Sequence, residues 1–119
     1  MARTLITPKT LANQNLVVAP NAADFVPAAC DSTNFNDMAI TGRELLVFYN
    51  SGGSAYTVTI YSAADSFGRS GAITAYSLGT LEYAVFGPFP VDVYAQTTGR
   101  INFDASNAAV LVAGFRLAV

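Results

Sequence analysis

An all-β domain is what this sequence predicts, and three observations predict it. From Glu44 onward, seven short runs rich in β-branched and aromatic residues fall within about 75 residues. Gly, Pro, Asn and Ser clusters separate the runs at short, even intervals. No stretch carries an apolar period of 3.6 residues with helix caps. Together these features argue a β-sandwich or a barrel.

Glu44 to Tyr49 is apolar on both faces, like a strand buried on both sides. Asn50-Ser51-Gly52-Gly53-Ser54 follows as a loop whose glycines permit positive φ. In Tyr56 to Tyr61, Tyr56, Val58 and Ile60 face one way, and Thr57, Thr59 and Tyr61 the other. The two runs and their Gly-rich connection predict a hairpin. Ala72 to Leu78 and Leu81 to Phe86 read as two further strands around Gly79-Thr80. Gly87-Pro88-Phe89-Pro90 has to be a turn or a sheet edge, because two prolines remove two ladder donors. Val91 to Ala95 reads as a short alternating strand. Thr97-Thr98-Gly99 turns into Arg100 to Asp104, where Ile101 and Phe103 point inward and Asn102 and Asp104 outward. Val110 to Leu117 puts Leu111, Ala113, Phe115 and Leu117 on one face.

Upstream, Leu16 to Ala19 and Asp24 to Val26 offer an eighth and a ninth strand. Between Pro20 and Met38 the abundance of Asn, Asp, Ser and Ala suggests a long loop, of the kind that usually serves a function. Residues 1–15 are polar, contain Pro8 and Lys9, and read as an N-terminal arm. Residues 16–119 then form a single domain.

Charge is the unusual quantity. Asp, Glu, Lys and Arg make up 12% of the 119 residues, against about 25% in an ordinary soluble domain. The net charge is −2, so nothing drives binding to nucleic-acid phosphate. A surface finished with so little charge is suited to being covered by partners. The expectation is that charge-free surface meets neighbours while the charged residues cluster on outward loops. No run is apolar and long enough to span a membrane, and no secretory signal opens the chain. Synthesis inside a cell, with no membrane partner, is the expectation.

There is no histidine and one cysteine, Cys30, which removes His-dependent triads and dyads, the usual zinc sites and an intrachain disulfide. Cys30 reads as a small buried residue. Glu44, Glu82, Asp92 and Asp104 fall in or beside strands, where a carboxylate pair could run glycoside hydrolysis. Solvent-facing positions explain them more simply. Asp31-Ser32-Thr33-Asn34-Phe35-Asn36-Asp37 is dense in oxygen ligands but lacks EF-hand spacing, and Asx turns account for it. No enzyme activity, metal or cofactor is therefore expected. Tyr56, Tyr61, Tyr76, Tyr83 and Tyr94 lie in different runs, and some of them sharing an outward face would make contact anchors.

The order of motifs carries a resemblance. Gly42-Arg43-Glu44-Leu45-Leu46-Val47-Phe48-Tyr49-Asn50-Ser51-Gly52 is followed by Tyr56-Thr57-Val58-Thr59-Ile60 and by Phe86-Gly87-Pro88-Phe89. Gly99-Arg100-Ile101-Asn102-Phe103-Asp104 and the closing Ala113-Gly114-Phe115-Arg116-Leu117 complete the series. Over about residues 38 to 118 this resembles the small decoration, or cement, proteins of tailed-bacteriophage capsids. The resemblance implies a jelly-roll-like sandwich, and with the runs and the arm read above the expected fold is an antiparallel sandwich of about eight strands with an extended N-terminal arm. It also implies a virion protein on the capsid exterior, without enzyme activity, whose partners are the major capsid protein and its own copies, as a homodimer or homotrimer. Capsid or oligomer contacts are expected at Arg3, Lys9, Phe25, Phe35, Tyr56, Tyr61 and Tyr83. The alternative is a carbohydrate- or receptor-binding sandwich of a phage tail or fibre.

Overall fold

The computed structural model describes residues 2–11, 24–63 and 70–117. Among these it contains β1 (Thr4–Leu5), β2 (Lys9–Thr10), β3 (Ala28–Ala29), β4 (Asn36–Ala39), β5 (Glu44–Asn50) and β6 (Tyr56–Ile60). Then come β7 (Ile73–Leu78), β8 (Tyr83–Phe86), the helical turn α1 (Val91–Tyr94), β9 (Arg100–Ala105) and β10 (Val110–Arg116). Eight strands, β3 to β10, make two sheets ordered β4-β9-β6-β7 and β3-β10-β5-β8, and every neighbouring pair is antiparallel. From β3 to β10 the chain changes sheet at every connection except that between β6 and β7, which is the winding of a jelly-roll sandwich. Residues 2–11 of the expected arm are extended and docked. Its β1 pairs parallel with β4 in the first sheet, and its β2 pairs parallel with β10 in the second.

The winding corrects the expected hairpin. Glu44–Asn50 and Tyr56–Ile60 lie in different sheets, and β6 pairs with β7 and β9 instead. Asn50 shows why its Gly-rich loop is a crossover. Its buried side chain donates to Ser54 O (2.8 Å) and Leu78 O (2.9 Å) and accepts from Gly52 N (2.9 Å). The loop is thereby bent over the end of the sandwich. β7 and β8, on either side of Gly79-Thr80, likewise belong to opposite sheets.

Val91 to Ala95 is a second correction: Val91–Tyr94 is one helical turn, not a strand. Val93 N, Tyr94 N and Ala95 N donate to Pro90 O, Pro90 O and Val91 O. The turn sets Tyr94 edge-on to buried Phe89, with ring centroids 5.2 Å apart. Alternation over five residues is too short to exclude such a turn. Asp24–Val26 carries no ladder; pairing starts beyond Pro27, which has no N–H to give, at Ala28–Ala29. Asn36–Ala39, most of it within the expected loop, is a strand between β1 and β9 instead. Leu16–Ala19 lies outside the described residues.

The core forms where the inward residues of the two sheets meet. Met38, Val58, Ile60, Ile101 and Phe103 come from one sheet, and Leu46, Phe48, Ala84, Val110 and Val112 from the other. Phe48 sits between them, edge-on to Phe86 (5.9 Å) and Phe103 (5.6 Å). Gly114 in β10 makes the close packing possible, since a Cβ there would collide with the Met38 sulfur and touch Pro8. Cys30 is buried in this core, and burial pushes its thiol up to about 12.

Candidate interaction surface

The two sheets present chemically opposite outer faces. On the first sheet the outward residues are Thr57 and Thr59 of β6 and Arg100, Asn102 and Asp104 of β9. Two ion pairs lie on this sheet, Arg3–Asp104 at 2.7 Å and Arg100–Asp37 at 3.4 Å. Asp104 also accepts a hydrogen bond from the Tyr61 hydroxyl at 2.7 Å, which raises the tyrosine's pKa. The Arg3 guanidinium lies 5.7 Å from the ring centroids of both Phe35 and Tyr61. Arg3 also donates to Asn36 O (3.1 Å), so one side chain ties β1 to β4 and β9.

The second sheet is different. Strand register places Leu45, Val47 and Tyr49 of β5 beside Phe115, Ala113 and Leu111 of β10. Val47 and Tyr49 also face Val85 and Tyr83 of β8. Their sequence neighbours Leu46, Phe48, Ala84, Val110 and Val112 fill the core, so these eight side chains lie on the outer side of the sheet, where Tyr83 and Val85 are exposed, Leu45, Val47, Tyr49 and Leu111 half-buried, and Ala113 and Phe115 buried. None of the eight is charged. Phe25 covers one corner, its ring edge-on to Phe115 at 4.7 Å. The Tyr83 ring stacks on Tyr49 at 4.3 Å and stays largely in water. A groove of about 480 Å³ runs along the β10 edge, lined by Leu5–Lys9, Asp24–Val26, Ala28 and Val112–Gly114.

Six charged residues that a loop-clustered surface would have placed elsewhere are spent on holding strands. Asp37, Glu44, Arg100, Asp104 and Arg116 lie within strands and, with Arg3, make three ion pairs. The expectation that charge clusters on outward loops is therefore corrected. Glu44 is the most buried. Burial pushes its carboxyl up, but Arg116, Thr41 and the Arg43 N–H all donate to it and hold it down at about 2. Of the other acids, Glu82 accepts from Gly79 N at 2.8 Å and so closes a turn. Asp31 accepts from Thr33 N (3.0 Å) and Asn34 N (2.9 Å), the Asx turn read from the sequence. The Asn34 N–H, then the Thr4 hydroxyl, lower the Asp31 pKa.

The seven expected contact residues divide into three groups. Arg3, Phe35 and Tyr61 come together around Asp104 on the polar sheet. Lys9 and Phe25 line the β10 groove, and Tyr83 stands on the charge-free face. Tyr56 packs half-buried against the core. Sequence reasoning missed Leu45, Val47, Tyr49, Val85 and Leu111 as surface. The signal was the run Glu44 to Tyr49, apolar on both faces in a sequence that shows no capped helical period to cover the second face. Tyr76 and Tyr94 face Phe86 and Phe89 and do not join Tyr83; Tyr49 does.

No family model, curated protein or solved structure matches this chain.

Proposed function

We propose that this protein is a non-enzymatic component of a tailed-phage virion that binds the outside of the head and stabilises its shell as a homo-oligomer. The observation that supports this reading best is the eight-residue, charge-free outer face of the second sheet. Its exposed part, Tyr83 and Val85 with half-buried Leu45, Val47, Tyr49 and Leu111 beside them, is uncharged apolar surface of the kind that a partner covers. The resemblance of the motif order to capsid decoration proteins points to the major capsid protein as the covering partner. Many copies, each adding a modest contact across a joint of the shell, raise the barrier to opening by avidity. The β10 groove with Lys9 and Phe25 borders this face and would widen the contact. Mass spectrometry of separated heads and tails tests the reading. The protein is expected in the head fraction at many copies per particle; confinement to tails would overturn it.

A second reading rests on a different surface. A polar cleft of about 430 Å³ is lined by Arg3, Asp37, Gln96, Thr97, Thr98, Arg100 and Asn102. Side chains of this kind suit sugar hydroxyls, as a carbohydrate- or receptor-binding module would require. A specific micromolar ligand on a glycan array would favour it.

A further inference from the structure

We propose that two copies of this chain pair antiparallel through β8, joining their second sheets into one continuous sheet. The inference rests on the strand edge alone and does not need the decoration reading.

Strand β8 is the outermost strand of its sheet, and among the described residues no strand lies beyond it. Proteins blunt such edges with charge, bulges, shortness or a covering segment. The other edges here are managed in these ways. β1 is two residues long, and β7 has a register shift opposite Val58–Ile60 and a positive φ at Ala75. The far edge of β10 is covered by β2 at one end and β3 at the other. β8 is four residues long and bounded by Glu82 and Pro88, but within it there is neither charge nor bulge, and among the described residues no segment covers it. Its sequence, Tyr83-Ala84-Val85-Phe86, carries no charge, and Tyr83 and Val85 are 70% and 62% exposed.

Hydrogen-bond alternation fixes the register of the pair. Asn50 N donates to Glu82 O (3.0 Å), so Glu82, Ala84 and Phe86 turn their backbone groups towards β5. Tyr83 and Val85 therefore turn their N–H and C=O groups to the open edge. A two-fold axis normal to the sheet and midway between the two copies of Ala84 places Tyr83 opposite Val85 of the second copy, and the reverse. All the edge donors and acceptors of these residues are then satisfied, and the same sheet face continues across the axis. An edge with Tyr83 and Val85 two residues apart is complementary to itself in this way, which favours a second copy over an unrelated strand.

The area available sets the strength. Leu81, Tyr83 and Val85 leave on the order of 400 Å² of side chain in water. A stable dimer covers about 800 Å² on each partner, so this pair belongs to the weak class and should dissociate in the micromolar range.

Sedimentation of the full chain across a concentration series, with a register-specific cross-link, tests the pairing. The wild-type chain is expected to pass from monomer to dimer with concentration. Val85→Pro and Val85→Lys remove an edge donor or add an edge charge without touching the bonds to β5. Each is expected to keep the monomer's melting temperature and weaken association by about tenfold or more. Tyr83→Cys mixed with Val85→Cys is expected to form a mixed disulfide faster than either variant alone. Directly opposed positions sit about 5.5 Å apart, within disulfide range, whereas like positions are offset along the strands. Cys30 is buried and does not compete. A chain that stays monomeric into the millimolar range overturns the proposal. So does a dimer that survives Val85→Pro, or cross-linking of like positions only. Shell binding without dimerisation would overturn the pairing alone, and dimerisation without shell binding the decoration reading alone.

Discussion

Glu44 concentrates the residue-scale physics of the molecule. Its side chain is fully buried, yet Arg116 and the Thr41–Arg43 corner keep it ionised. Its folded pKa of about 2 lies below its ordinary 4.5, so its contribution to stability is complete above pH 4.5 and is lost as pH falls towards 2. That contribution is at most about 3 kcal/mol, less whatever solvent screens at the partly exposed Arg116. Chemical unfolding measured between pH 5 and pH 2, as bounds set by these pKa values, should show this loss, and Glu44→Gln should flatten it. Removing the charge also strands Arg116, so Glu44→Gln should cost about 2–4 kcal/mol at neutral pH. Gly114→Ala should cost about 1–3 kcal/mol, because Met38 has to move from the core to admit a methyl group. Neither role could be read from sequence. Glu44 stood beside an apolar run like any strand-end acid, and its partner is 72 residues away. The Asx turn at Asp31 was legible, because its bonds are local.

At the scale of elements, residues 2–11 behave as a strap stitched to both sheets. Thr4 N donates to Phe35 O (2.9 Å), Ile6 N to Asp37 O (2.8 Å) and Leu11 N to Arg116 O (2.8 Å). Arg3 holds the outer end through Asp104. Arg3→Ala should therefore speed amide exchange at Thr4 and Ile6 by about tenfold, while Ile101 and Phe103 in β9 stay protected. Equal acceleration in β9 would mean the strap is not a separate unit. Strand existence was well marked in the sequence: Glu44–Asn50, Tyr56–Ile60, Ile73–Leu78, Arg100–Ala105 and Val110–Arg116 all follow their β-branched runs. Pairing was not. A Gly-rich loop of hairpin length can equally carry a chain between sheets, and here Asn50's side-chain bonds decide it. The β1 and β2 pairings escaped because two-residue strands have no measurable alternation.

At the scale of the whole molecule, the scarcity of charge acquires a location. Two of the three described ion pairs lie on the first sheet and the third, Arg116–Glu44, is at one end of the second, whose eight outward side chains carry no charge. Composition predicted that such a surface exists; only the register between β5, β8 and β10 shows where. A lysine at its centre, Val47→Lys, should leave the fold intact and abolish attachment to the shell, since burying an unpaired ammonium costs several kcal/mol. The central claim is that this face attaches the protein to a capsid. Its most direct test is rebinding of the purified chain to expanded heads stripped of accessory proteins, with wild type and Val47→Lys side by side. Saturable binding to the outer surface, a raised disruption temperature of the heads, and loss of both in Val47→Lys are the predicted result. Heads that bind neither protein, or bind both equally, would contradict it.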